Sequence, residues 1–151
     1  MTNPYQAIYN QAVSSGDPLP FTLPDWVALA PFERYLGMEI DHAADGTARL
    51  SMPFMGAHYQ GTGLMHGGAV VSLADTALAM AIKTVLPPNT PFVTKDLALR
   101  FFAAVTGGVV TATAKVTRFE GRDIDGLVTV VDQESKPVAE FTAAFKVLRP
   151  R

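Results

Sequence analysis

The residues best placed for chemistry lie in one segment. His58-Tyr59-Gln60-Gly61-Thr62-Gly63-Leu64-Met65-His66-Gly67-Gly68 runs directly into the apolar stretch 69–86, whose single carboxylate is Asp75. A glycine-rich turn that opens a helix leaves unpaired N–H groups and a partial positive charge at the helix mouth. Those donors can hold a developing oxyanion or a thioester carbonyl, while a carboxylate about two turns further in supplies a base or nucleophile. These are the parts needed for acyl-transfer hydrolysis. Two plainer readings compete. A glycine pair also serves tight turns that need positive φ, and an acid on the polar stripe of a surface helix is ordinary. The stripe here is thin and built of small residues (Ser72, Asp75, Thr76, Ala79, with Lys83 at its end). Asp is also a poor helix-interior residue, and the glycine turn lies at the mouth of the same helix.

Spacing adds a constraint. Gly67 and Asp75 are eight residues apart, roughly 12 Å along a helix at about 1.5 Å per residue. One carbonyl cannot reach both. If both act on one substrate, they come from different subunits. A two-fold dimer that sets one helix mouth beside the middle of its partner's helix then makes two equivalent sites.

Other chemistries find little support. The three histidines show no HxH or HxxxH spacing, so no metal site is expected. His58 and His66, each near a turn, read more readily as structural than catalytic. Ser51 and Ser72 lack a nucleophile-elbow context, and no GxGxxG or GxxxxGK[ST] phosphate loop is present. The absence of cysteine excludes disulfides and thiol catalysis.

Composition sets the frame. The chain of 151 residues is long enough for a full core, and 48% apolar against 17% charged residues argues for a packed globular protein. A net charge of −2 gives no broad basic surface for nucleic acid. The first fifteen residues are polar, unlike a signal peptide. The stretch 69–86 approaches membrane-spanning length but carries Asp75 and Lys83, so a buried helix is the better reading. A cytoplasmic protein without membrane or nucleic-acid partners is expected.

The elements that must position the site follow from patterning. Residues 1–31 hold five of the eleven prolines and read as a helical extension: a short helix over 4–13, a proline-rich connector, and a second helix from Asp25 as N-cap, with Trp26, Leu29 and Phe32 on one face. Residues 32–151 read as one domain. Strand signals begin after Gly37, with loose alternation over 48–54. A glycine-rich loop over 56–68 leads into the long helix 67–86, stopped by Pro87-Pro88. Four strands follow, over 92–105, 108–119, 123–134 and 137–147, and their short joins predict an antiparallel meander. The long helix is apolar nearly all round. It requires a sheet that curls around it, a second subunit, or both.

Gly63-x-x-His66-Gly67-Gly68 followed by Ala74-Asp75, inside a helix that precedes four strands, resembles the hotdog-fold acyl-CoA thioesterases. The closest subgroup is the phenylacetate-pathway type, related to the 4-hydroxybenzoyl-CoA thioesterases, and the likeness spans about residues 32–148. It implies an α+β hotdog fold, an antiparallel sheet wrapped around a central helix, and paired subunits that often form dimers of dimers. It also implies Asp75 as base or nucleophile, the Gly67 N–H as oxyanion donor, and His66 and Gly68 shaping the turn and substrate pocket. Gln60 stands where the family commonly has an Asn that holds the carbonyl or water. Thr94 matches a Ser or Thr that orients the attacking water. No cofactor is implied, since coenzyme A belongs to the substrate. Five of the twelve basic residues fall between Lys95 and Arg122. Arg118 and Arg122 suit coenzyme A phosphates, although strand-end charges for solubility have the same appearance. Two alternatives remain on these residues: a hotdog hydratase or dehydratase, which needs a His–carboxylate pair, and a non-catalytic acyl-CoA-binding module. The acyl group is left open. Met38, Met52, Met55, Met65, Met80, Trp26 and Phe32 are candidates either for an adaptable pocket or for the core.

Overall fold

The computed structural model describes residues 2–150. A short helix α1 (Pro31–Tyr35) precedes the hairpin β1 (Glu39–Ala44) and β2 (Thr47–Pro53). Helix α2 (Gly67–Lys83) follows, and then β3 (Phe92–Phe101), β4 (Val109–Glu120), β5 (Asp123–Val131) and β6 (Pro137–Val147). The six strands make one antiparallel sheet in the order β1-β2-β4-β5-β6-β3. This is the hotdog architecture. Among the described residues, no helix is long and apolar enough to cross a membrane.

The sheet curls because the helix it encloses has little polar surface. Leu73, Ala74, Ala77, Leu78, Ala81 and Ile82 of α2 are completely buried against Leu50, Val110, Ile124, Val128 and Phe141 of the strands. Gly126 of β5 is what allows the closest approach, because the Leu78 side chain occupies the space where a Cβ would stand. Wrapping leaves one face of α2 uncovered, the face carrying Ser72, Asp75, Thr76 and Ala79.

Three sequence expectations are corrected. The four-strand meander is a three-strand meander, β4-β5-β6. Strand β3 pairs with β6 instead of β4, with Thr94 opposite Phe145 and Phe101 opposite Ala139. The link over 102–108 is long enough to cross the sheet end, and it is anchored on the way by Phe102 N–H to Val138 O at 2.7 Å. The extension is not two helices. Among its described residues before Pro31 only Gln6–Ile8 forms a helical turn, of the 3-10 type, and the expected helix from Asp25 starts instead at Pro31. There the Glu33 carboxylate reaches back to accept from the Ala30 N–H at 3.2 Å, one half of a capping box. Asp25 only bonds its neighbour's N–H. Helix α2 ends at Lys83 instead of residue 86, closed by Thr84. The hairpin turn Asp45-Gly46 has positive φ at both residues, which matches the right-handed strand twist.

Candidate active site

Helix α2 carries the site because its two ends are held differently. At the mouth, the loop before it is tied down by backbone bonds: Gln60 N–H to Leu64 O (2.9 Å), Met65 N–H to Val105 O (3.1 Å) and His66 N–H to His58 O (2.7 Å). His66 is the N-cap, and its Nδ1 accepts from the Gly68 N–H at 2.8 Å. Ala69 N–H bonds His66 O. Among the described residues the Gly67 N–H has no acceptor. The cap therefore satisfies Gly68 and leaves Gly67 as the free donor.

The glycine pair is not there for backbone conformation. Neither Gly67 nor Gly68 has positive φ, whereas Gly63 in the preceding loop does. Space is the reason. A Cβ on Gly67 would stand 3.1 Å from the Phe101 ring, and one on Gly68 would stand 2.9 Å from His66 Nδ1.

Eight residues along, Asp75 meets β3. The Thr94 hydroxyl donates to Asp75 Oδ1 at 3.0 Å and lies 3.2 Å from Oδ2. Burial pushes the Asp75 carboxyl above the usual carboxylate range; the Thr94 hydroxyl opposes this, and the nearby Glu33 carboxylate adds to it. A half-buried carboxylate with a raised pKa is a better base than a solvated one. It opens into a groove of about 570 Å³ that runs along α2 and β3, with Val71, Phe92, Val93, Leu97 and Phe145 as apolar walls. Two charged residues of the groove escaped the sequence reading: Glu33, and Lys83 as more than a stripe residue. Glu33 is 42 residues from Asp75 in sequence, and no local pattern joins them.

The remaining expected residues divide clearly. The Gln60 side-chain oxygen is turned onto Thr62, accepting from its N–H and, at 2.7 Å, from its hydroxyl. Its amide NH₂ makes no hydrogen bond among the described residues, and Gln60 does not line the groove. Arg118 pairs with Glu120 (3.3 Å) and Asp125 (3.2 Å) on an exposed hairpin, and Arg122 bonds Val147 O. Neither arginine lines the groove. His58 is buried, with Nε2 2.7 Å from Leu36 O and Nδ1 accepting from Met55 N–H, a structural role that the neutral Nε2–H tautomer satisfies. Ser72 gives its hydroxyl to Gly68 O at 2.7 Å. Of the pocket candidates, Trp26 and Phe32 line the groove; Met38, Met52, Met65 and Met80 are core, and Met55 lies elsewhere on the surface. No histidine is among the groove's lining residues. Among the described residues no group of three or more His, Asp or Glu could hold a metal ion.

A curled antiparallel sheet around one helix, with a free N–H at the helix mouth and a hydroxyl-held carboxylate at its middle, defines a hotdog-fold protein. The thioesterase superfamily model matches residues 62–139, just over half of the chain, and the chain belongs to that superfamily. It is 30% identical over 126 residues to a Halobacterium salinarum protein assigned by inference as an esterase, covering 76% of this chain and 83% of the relative. Among solved structures, a mutant of the phenylacetic acid degradation protein PaaI of Thermus thermophilus is 31% identical at a TM-score of 0.72, covering 79% of this chain and 100% of that one. The PaaI protein of Escherichia coli is 26% identical at a TM-score of 0.73, covering 80% and 86%.

Proposed function

We propose that this protein hydrolyses an acyl-CoA thioester, with Asp75 as general base or nucleophile, Thr94 holding its carboxylate, and the Gly67 N–H as oxyanion donor. The observation that carries the reading is the half-buried Asp75 carboxylate, gripped by Thr94 and opening into an apolar groove, in a chain of the thioesterase superfamily. Water attacks the thioester carbonyl carbon as its proton passes to Asp75. The oxyanion accepts a hydrogen bond from the Gly67 N–H, and the Gln60 amide is assigned the positioning of the reactants. When the C–S bond breaks, the thiolate recovers the proton. A hydratase would need a histidine directed at the carboxylate; no histidine of the same chain lines the groove, and His66 at the helix mouth has its Nδ1 turned back onto the Gly68 N–H as the cap. A pure binding module leaves the Thr94–Asp75 pair without a use.

The reading includes a two-fold dimer. Strand β3 is the last strand of the sheet, and it exposes Val93 (47%), Leu97 (47%) and Phe101 (50%). Proteins rarely leave such an edge open. Phe101 sits at Gly67 and Thr94 sits at Asp75, so β3 runs antiparallel to α2 along the groove. If two copies pair β3 to β3 about an axis at Ala98, the bulge at Lys95 brings Thr94 opposite Phe101 of the partner subunit. The Asp75 of one copy then meets the Gly67 mouth of the other, which resolves the 12 Å separation expected from eight helical residues at about 1.5 Å each.

Thiol release from a panel of acyl-CoAs tests this. Asp75→Asn is expected to lower kcat by about 10²–10⁴, the range of general-base contributions. Mixing Asp75→Asn with a Gly67→Val variant should restore about a quarter of wild-type activity, through the one intact site of each mixed dimer. Near-normal turnover by Asp75→Asn alone would overturn the mechanism. No recovery in verified mixed dimers would overturn the shared site.

A further inference from the structure

The groove does not stop at Asp75. It continues along α2 past Thr76 and Ala79 to Lys83, and there a segment that precedes the family-matched region closes it. The closure is a reciprocal latch. The Trp26 indole N–H donates to Lys83 O at 2.9 Å, and the Lys83 ammonium donates to Trp26 O at 3.0 Å. The ammonium also lies 4.7 Å from the indole centroid, within cation–π range. Lys83 O is one of the carbonyls that the end of α2 leaves without an intrahelical donor, so the indole both caps the helix and walls the groove. Among the described residues no carboxylate lies within 4.0 Å of the Lys83 ammonium.

We infer that the Trp26–Lys83 latch is the end wall of an acyl subsite and sets the maximum length of the acyl chain. The inference rests on the acyl-CoA reading above. Asp75 and Lys83 are eight helical residues apart, roughly 12 Å at about 1.5 Å per residue. A zigzag of C–C bonds near 1.5 Å advances about 1.3 Å per carbon, so the groove accepts at most about nine carbons beyond the carbonyl. Each methylene buried along the apolar walls strengthens binding about fourfold. A longer chain must either displace Trp26 or press a methyl end against a half-buried ammonium that has no carboxylate partner, and either outcome reverses the gain. The wall is polar at its centre and apolar at its sides, which makes the cutoff sharp.

The test measures kcat/KM for saturated acyl-CoAs from two to sixteen carbons, alongside calorimetric binding of the matching non-hydrolysable acyl thioethers of coenzyme A. The wild type should peak near eight carbons and fall at least tenfold by twelve. Trp26→Ala should raise the twelve-to-six-carbon ratio at least tenfold. Trp26→Phe, which keeps the wall and loses the indole donor, should hold the wild-type profile. Ala79→Phe, which fills the groove from the helix side, should move the cutoff to fewer than six carbons. An unchanged length profile in folded Trp26→Ala overturns the inference. If that variant fails to fold, Ala79→Phe decides, and an unmoved cutoff there overturns it. A length cutoff in thioether binding without thioester turnover leaves the end wall standing and removes the hydrolase reading. Failure to bind any acyl-CoA analogue removes both.

Discussion

The two ends of the proposed chemistry on α2 are built from different materials. At the mouth, the proposed function rests on a backbone N–H, set by a histidine cap and two glycines that have no positive φ and are small for reasons of space. At the middle, it rests on side chains, a carboxylate and the hydroxyl of a neighbouring strand. The difference determines how each half can be damaged. A side-chain group is lost by truncation. A backbone donor survives any substitution of its own residue and is lost only when added bulk moves it or blocks its approach.

Gly67→Val sharpens that contrast most. Its branched Cβ would press on the Phe101 ring, which already stands 3.1 Å from where a Cβ would be. Losing one oxyanion donor costs about 10²–10³ in kcat, and that loss is expected here with a far-ultraviolet spectrum unchanged from wild type. Gly67→Ala should fall between, because the exposed Phe101 ring can yield a few tenths of an ångström. If Gly67→Val turned over normally, the mouth would be only a turn.

Thr94→Val makes the matching cut in the side-chain half, and a smaller effect is expected. A hydrogen bond to a charged group contributes about 1.5–3 kcal/mol, so kcat should drop about 10- to 100-fold. The pH profile carries the sharper information. Burial already holds the Asp75 carboxyl above the usual range, and Thr94 is the group that pulls it down. Removing the hydroxyl should move the acid limb of kcat/KM to higher pH, since the base is lost as pH falls through a value now raised further. A limb that stays in place or moves to lower pH would show that Thr94 does not act on this carboxylate.

These two halves were also unequally legible in the sequence. The start of α2 at Gly67 and the whole of β6 over residues 137–147 were expected where they occur, because glycine, proline and β-branched residues mark them locally. The place of β3 was not. A short join between strands reads as a hairpin, and nothing local shows that residues 102–108 cross the sheet end to leave β3 beside β6. Residues 2–30 misled for the same reason. Their order comes from distant partners, such as Tyr5 OH to Leu29 O at 3.2 Å and Tyr9 OH to Pro31 O at 2.6 Å, and periodicity is blind to such ties. Asp75 stood out as the one acid of an apolar stretch. Glu33 did not, because a capping glutamate in a five-residue helix carries no sign that it faces another carboxylate.

The smallest effect separates the chemistry of Asp75 from its cost to the fold. Burial raises the Asp75 carboxyl above its ordinary value, so the folded chain binds this proton more tightly than the unfolded chain does. Its contribution to stability is then fully present only below the unfolded value, near 3.9, and is lost as pH rises through the higher folded one. At pH 7 the ionised carboxylate therefore destabilises the fold. Asp75→Asn keeps the shape and an acceptor for the Thr94 hydroxyl while removing the charge. It should raise Tm at pH 7 by roughly 1–3 °C, modest for a domain of this size because the carboxylate is only partly withdrawn from water. The gain should shrink as pH falls through the raised folded value and vanish below the unfolded one, where the wild-type carboxyl is protonated in both states. The same substitution is expected to lower turnover by orders of magnitude, so thermal melts across that pH range would show a residue kept at the expense of stability. A Tm that falls at pH 7 would instead mark the Asp75 carboxylate as a structural anchor for β3.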